Sequence, residues 1–262
     1  MWNDLRGFLW LLKLGAVVNL YFLAKTYAPP LVFADAHVLI PAQLLFAVSA
    51  FRCLFPVRYE NNVVFHDSPL SSIFLTRTLA TCSEVALIYQ LAYLIRLLNS
   101  DRIGWVDTLS WCMVAQVVVS QGFVWGAILS GRLRLYFYEE LGWWLIYMAN
   151  TIASIYLYAT VDDFAGRDLL ILLNLLFGAV YLPWQLLHLR ALIKEAQLNE
   201  ARKTSPPHVS LEAIKSGLHD SIYARNPTCD PQAWGGLIGA TWMTAYWATL
   251  IPAWAYLIAL KA

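Results

Sequence analysis

The sequence predicts an all-α, polytopic membrane protein, a bundle of seven transmembrane helices forming one domain over residues 1–262. Three observations support this: composition, seven long apolar stretches, and the distribution of basic residues. Of the 262 residues, 60% are hydrophobic and 13% are charged, whereas about a quarter of the residues of a soluble domain are charged. The net charge of +1 excludes a nucleic-acid binder, which needs a basic surface.

The first three predicted spans precede residue 100. Each predicted span of the chain has close to the roughly 20 apolar residues that cross a bilayer. The first begins near the N-terminus without a basic flank and a small-residue cleavage site, so we expect a retained span. Ser68-Pro69 predicts the start of the third helix, with Ser as N-cap and Pro at the first helical position. These three spans are predicted at residues 8–24, 38–55 and 72–98.

The remaining spans are predicted at residues 105–129, 135–159, 169–189 and 234–260. A polar segment, residues 190–232, separates the last two. We expect the sixth helix to continue through Lys203 and to be broken at residues 204–207, Thr-Ser-Pro-Pro. Ser210 then caps a short amphipathic helix that ends at or just after Gly217. Its apolar residues Leu211, Ile214 and Leu218 share one face.

Lysine and arginine are distributed unevenly over the two sides of the predicted bundle. Twelve lie on the side of the N-terminus and five on the other, with Lys13 inside the first span. Basic loops face the cytoplasm, so the sequence predicts a cytoplasmic N-terminus, an outside C-terminus and a cytoplasmic amphipathic helix. We expect a multi-pass protein of a plasma or inner membrane.

Glu84 is the charge that topology does not explain, because it falls at the middle of the third span, where a carboxylate is most costly. Arg77 and Thr81 share its helix face, but Arg77 is about 10 Å away along the axis, which predicts no direct pair. Glu84 should then be neutral, or paired across the bundle with a polar residue such as Asn150. Glu84 is either functional, as a proton carrier, a ligand counter-ion or a cation site, or it is a protonated group that joins helices.

Basic residues cluster at the predicted cytoplasmic interface. Together they predict a site for anionic headgroups, because arginine binds phosphate bidentately; the alternative is ordinary positive-inside topology. The predicted headgroup-binding residues are Arg52, Arg58, Arg132, Arg134 and His66, with Arg77 at the same face. The predicted ligand-binding residues are Glu84, Arg77, Thr81 and Asn150.

Two short motifs give a different interpretation. Residues 139–143, Glu-Glu-Leu-Gly-Trp, and residues 183–188, Pro-Trp-Gln-Leu-Leu-His, resemble motifs of the CAAX-protease and bacteriocin-processing family of intramembrane peptidases. The resemblance implies that Glu139 or Glu140 activates water, with His188 as a partner. Trp144 stands where that family has arginine, and no third motif of the H-x-x-x-N type follows.

The leading hypothesis is a non-enzymatic bundle that binds or moves a lipophilic or amphiphilic small molecule. The alternatives are an intramembrane hydrolase using Glu139, Glu140 and His188, and a structural subunit with membrane-protein partners. The lipid bilayer is the expected surrounding. No metal site is expected, and the sequence names no cofactor, since it contains neither a P-loop nor a G-x-G-x-x-G motif.

Overall fold

A computed structural model describes residues 4–160, 167–202 and 210–261, and it is 82% helical. A π-helical turn, Met243–Ala248, joins the last two α-helices. The α-helices are α1 (Arg6–Lys25), α2 (Ala36–Leu54), α3 (Ile73–Leu98), α4 (Gly104–Ser130), α5 (Arg134–Thr160), α6 (Arg167–Arg202), α7 (Leu211–Tyr223), α8 (Gly236–Trp242) and α9 (Leu250–Lys261).

Within the described residues, six segments are long and apolar enough to cross a membrane: α1, α2, α3, α4, the stretch Leu169–Leu198 of α6, and Gly236–Lys261. They match six of the seven predicted spans, which supports a multi-pass membrane protein. The predicted fifth span forms α5, with 27 residues, but this helix is not among the six. Polar and aromatic residues such as Asn150 and Tyr147 lower its mean hydropathy. The seven-span count therefore stays a prediction.

Contacts divide the chain into two compact units, and the first comprises residues 4–87 and 218–260. In it α1 packs against α2 and the π-helical turn. Gly15 makes this approach close, because a Cβ there would stand 2.6 Å from the Ala248 Cβ. Asn19, which is fully buried, donates to the carbonyl oxygens of Gly15 at 2.7 Å and Trp247 at 2.9 Å. The turn is thus fixed to α1.

The first unit also contains a small sheet that the all-α prediction lacks. Strand β1 (Val57–Arg58) pairs antiparallel with β2 (Val63–Val64), which pairs parallel with β3 (Asn226–Pro227). Asn61 and Asn62 between β1 and β2 have positive φ, 57° and 52°, a conformation that asparagine tolerates better than most residues. Each strand has two residues, too few for an alternating pattern to be recognised.

The start of α3 differs from the prediction. Ser68 does act as a cap, since its Oγ accepts from the Leu70 amide at 3.3 Å, but the capped element is a 3-10 turn, Pro69–Ser71. Helix α3 begins at Ile73, after Ser72, whose Oγ accepts from the Leu75 amide at 3.4 Å. The proline at the first position starts a single turn, and a second serine starts the helix.

The second unit comprises residues 88–160, 167–202 and 210–217. In it α5 packs between α4 and α6. The predicted Ser210 cap is confirmed, because its Oγ accepts from the Ala213 amide at 3.1 Å. The predicted end of the amphipathic helix is wrong, since α7 continues to Tyr223. Gly217 serves packing instead, because a Cβ there would overlap the Leu129 carbonyl oxygen. The predicted break at 204–207 lies outside the described residues.

Candidate functional site

Glu84 and Arg77 form a direct ion pair, which corrects the expectation that they lie too far apart. Arg77 Nη2 lies 2.7 Å from Glu84 Oε2, and Nη1 lies 3.5 Å from Oε1. The arginine runs along the helix for two turns, while the glutamate leans back toward the N-terminus as helical side chains do. The axial distance between the two residues does not include the lengths of the arginine and glutamate side chains, which together bridge it. Arg77 is 2% exposed and Glu84 is 5% exposed, so the pair is buried.

Tyr59 joins this ion pair to a second buried arginine. Arg52 Nη1 donates to the Tyr59 hydroxyl at 2.7 Å. The guanidinium carbons of Arg52 and Arg77 lie 5.2 and 5.4 Å from the centre of the Tyr59 ring, within the range of a cation–π interaction. Arg52 also lies 4.7 Å from the ring of Trp247. We call Arg52, Tyr59, Arg77, Glu84 and Trp247 the basic cluster.

The formal charge of the basic cluster is +1, since two arginines face one carboxylate. Arg52 is 8% exposed and has no carboxylate within ion-pair distance in the described part of the chain. Its Nε is buried and has no hydrogen-bond partner among the described residues. A buried charge is normally paired, because transfer from water to an apolar interior is costly. Arg52 is therefore the cation of the basic cluster that has no carboxylate partner among the described residues of the first unit.

A small pocket lies beside Arg52. Its cavity volume is about 10 Å³, which is about the space for one water molecule. Apart from the guanidinium, the walls are largely apolar and come from α1, α2, β1 and the π-helical turn. The lining residues are Leu12, Arg52, Cys53, Pro56, Val57, Met243 and Trp247. The pocket leaves space for about one water-sized group at Arg52, with apolar side chains around it.

The other predicted arginines are not gathered at this pocket. Arg58 forms an ion pair with Glu60 and donates to the Ala233 carbonyl at 2.9 Å. Arg132 and Arg134 belong to the second unit and are exposed. The predicted headgroup-binding arginines thus differ in burial and pairing: Arg58 is paired with a carboxylate, Arg132 and Arg134 are exposed, and Arg52 is buried with no carboxylate partner in the described chain.

The two other residues predicted to bind ligand lie on different helices. Thr81 lies on α3 between Arg77 and Glu84 and is half-buried. Asn150 is buried in α5, at 1% exposure, and belongs to the second unit. Neither its amide nitrogen nor its amide oxygen has a hydrogen-bond partner among the described residues.

His66 contacts a residue that sequence reasoning did not assign to a site. Lys13 Nζ, in α1, lies 2.8 Å from His66 Nε2 and 4.3 Å from the ring centre of Trp10. Burial, and then the charge of Lys13, lower the pKa of His66 from its ordinary value. A neutral imidazole accepts the hydrogen bond from the ammonium at Nε2. The sequence feature that could have indicated this contact is the position of Lys13 inside the apolar first span.

The residues of the peptidase-like motifs lie on neighbouring helices of the second unit. Glu139 is buried and Glu140 is half-buried. Gln185 Nε2 donates to Glu140 Oε2 at 2.6 Å and to the Glu140 carbonyl at 3.1 Å. The His188 ring stacks on Trp184 at 5.4 Å, and its buried Nδ1 has no hydrogen-bond partner in the described ranges. The hydrolase alternative stays a prediction.

Sequence reasoning missed Tyr59, Trp247 and Gln185 as site residues. Tyr59 follows a predicted span, where interfacial aromatic residues are common, and Trp247 lies within a predicted span that contains several aromatic residues. Both are placed by distant parts of the chain, β1 and the π-helical turn, so no local pattern signals their meeting. Gln185 lay within a quoted motif, but its role depends on α5.

Comparison with known proteins gives no relative from which a function can be transferred. No family model matches the chain, and no curated protein and no solved structure is significantly similar to it.

Proposed function

We propose that this chain is a seven-span membrane protein that binds an anionic amphiphile, with the anionic group at Arg52. The observation that carries the proposal is the buried Arg52, which has no carboxylate partner in the described chain and lines a pocket. This is the leading sequence hypothesis, narrowed to one charge and one side chain.

The chemistry of the pocket favours an anion with an apolar body. A guanidinium presents donors in a planar fork that matches phosphate or carboxylate oxygens. In a low-dielectric surrounding, pairing with such an anion offsets the desolvation cost of Arg52. Leu12 and Met243 supply apolar wall next to the guanidinium, and in this proposal the apolar body of the anion lies outside the small cavity.

Glu84 has a positioning role in this proposal. Its carboxylate pairs with Arg77. The Arg77 guanidinium lies over the ring of Tyr59, whose hydroxyl accepts a hydrogen bond from Arg52. Neutralising Arg77 leaves Arg52 as the cation available to an added anion. Glu84 thus organises the cluster, whereas the sequence hypothesis made it the ligand anchor itself.

The seventh span in this proposal is α5. It has 27 residues, about 40 Å at 1.5 Å per residue, and follows α4 after a connection of three residues. It packs along α4 and α6, both of which contain candidate spans. A helix of that length packed between two spans crosses with them. In this proposal the N-terminus is cytoplasmic, which the excess of basic residues on its side of the bundle supports.

The test measures binding of dodecyl phosphate to the purified full chain in nanodiscs of zwitterionic lipid. We expect Arg52→Met, which keeps the apolar stem, to weaken binding about tenfold or more, because a hydrogen-bonded charge is lost. Arg102→Met is the matched control, since Arg102 is exposed and belongs to no predicted site, and it should bind as wild type does. Equal binding by Arg52→Met and wild type would contradict the proposal.

Stability without added anion gives a second, opposite expectation. Removing a buried cation that has no carboxylate partner relieves a desolvation cost, while the hydrogen bond to Tyr59 is lost. We expect the stability of Arg52→Met to equal or exceed that of wild type when lipid and buffer lack anions. A loss of about 3 kcal/mol or more, the size of a broken buried network, would show that Arg52 serves the fold.

A further inference from the structure

A second polar cluster lies in the second unit, between α5 and α6. It combines two carboxylates with aromatic rings and one amide, and we call it the acidic–aromatic cluster. Its members are Glu139, Glu140, Tyr147, Tyr181 and Gln185. The proposed anion site does not use any of them, and the two proposals rest on separate observations.

The aromatic rings of this cluster are in mutual contact. The ring centres of Tyr147 and Tyr181 lie 4.8 Å apart, and Trp143 stacks on Tyr147 at 6.2 Å. Tyr181 is 6% exposed and precedes Gln185 by four residues on α6, so the two side chains lie on the same face of the helix. The tyrosine rings are therefore next to the amide that contacts the Glu140 carboxylate.

Gln185 is the observation that points to a ligand. The side chain is fully buried, and its nitrogen holds the Glu140 carboxylate at 2.6 Å. The oxygen of the same amide, Oε1, is buried and has no hydrogen-bond partner in the described part of the chain. A buried acceptor left unsatisfied costs free energy, so this oxygen calls for a donor next to the carboxylate.

We infer that the acidic–aromatic cluster binds the ammonium group of an organic amine. An N–H of the ammonium donates to Gln185 Oε1, and a second N–H donates to the Glu140 carboxylate. The faces of Tyr147 and Tyr181 stabilise the positive charge through cation–π interactions. Oxygen acceptors satisfy an ammonium in the way that they satisfy a metal ion, but aromatic faces favour the organic cation.

This mode of binding predicts an order of affinities among compounds of similar size. A primary ammonium donates to both oxygens, whereas a quaternary ammonium has no N–H and keeps only the charge and ring contributions. A neutral alcohol can donate but lacks the charge. Benzylammonium, benzyltrimethylammonium and benzyl alcohol share one ring and differ at this single group, so they separate the contributions.

The experiment titrates the purified full chain in nanodiscs with these three compounds by calorimetry. We expect benzylammonium to bind at least about tenfold more tightly than either of the others, because charge-assisted hydrogen bonds are the strongest kind. Glu140→Gln and Gln185→Met should each weaken benzylammonium binding about tenfold or more. Glu212→Gln removes an exposed carboxylate of α7 and should leave it unchanged.

Two outcomes would overturn the inference, and a third result distinguishes it from the proposed anion site. Equal binding of benzylammonium and benzyl alcohol would show that the charge is not recognised. Wild-type affinity in Gln185→Met would show that Oε1 is not the acceptor, and this variant decides the matter if Glu140→Gln does not fold. Loss of dodecyl phosphate binding in Arg52→Met, with amine binding retained, separates this site from the proposed anion site.

Discussion

Replacing Glu84 by glutamine tests the reasoning about the buried ion pair most directly. The substitution keeps the size of the side chain and removes the carboxylate that lies 2.7 Å from Arg77 Nη2. The guanidinium stays charged, because arginine does not lose its proton in proteins. The variant therefore has a buried cation whose ionic partner is gone.

The expected loss follows from burial. The side chains of Arg77 and Glu84 are 2% and 7% exposed, so solvent does not screen the change, and removing one partner of such a pair costs about 3–5 kcal/mol. At about 2–4 °C per kcal/mol for a chain of this size, the midpoint of thermal unfolding should fall by about 6–20 °C. Arg77→Met should cost less, because a buried glutamate can take up a proton.

The assay is a double-variant cycle on thermal unfolding of the purified chain in nanodiscs. Because Arg77→Met removes the charge that Glu84→Gln leaves, the double variant should be more stable than Glu84→Gln alone. The coupling free energy should be about 2 kcal/mol or more. Additive losses, or a larger loss for Arg77→Met than for Glu84→Gln, would refute the assignment of this ion pair as a neutralising unit.

Two further predictions concern other contacts. His66 has a lowered pKa, so the unfolded chain takes up its proton first; thermal stability is full above about pH 6.5 and falls as the pH drops further, less steeply in Lys13→Met. His66→Asn should lose this component of the pH profile. Gly217→Ala should cost about 1–3 kcal/mol, because its Cβ overlaps the carbonyl oxygen of Leu129. Gly122→Ala, where a Cβ meets nothing within 4 Å, should be neutral or stabilising in urea unfolding, and equal losses at both glycines would contradict the packing argument.

Helices were predictable because the signal for a span is long. Six of the seven predicted spans coincide with segments that can cross a membrane, since about 20 apolar residues form a pattern that few local errors hide. The three strands have two residues each, and the pairing of β2 with β3 joins residues more than 160 positions apart. No local pattern contains that information.

The candidate site was predictable in composition but not in contacts. The sequence pointed to Glu84, because a charge at the middle of a span is costly, and to Arg52 and Arg77, because basic residues cluster at the predicted interface. It did not give the Arg77–Glu84 pair, which depends on side-chain length and direction. Nor did it give Tyr59 as the link between two arginines, because that contact follows from a bend of the chain after α2.

The π-helical turn at Met243–Ala248 divides the last candidate span into two helices, α8 and α9. Thr249, with φ −137° and ψ −80°, is not helical and separates this turn from α9. Asn19 donates to the Trp247 carbonyl within the turn, and the ring of the same Trp247 lies 4.7 Å from the Arg52 guanidinium carbon. The contact of α1 with the turn therefore also helps to position the indole at Arg52.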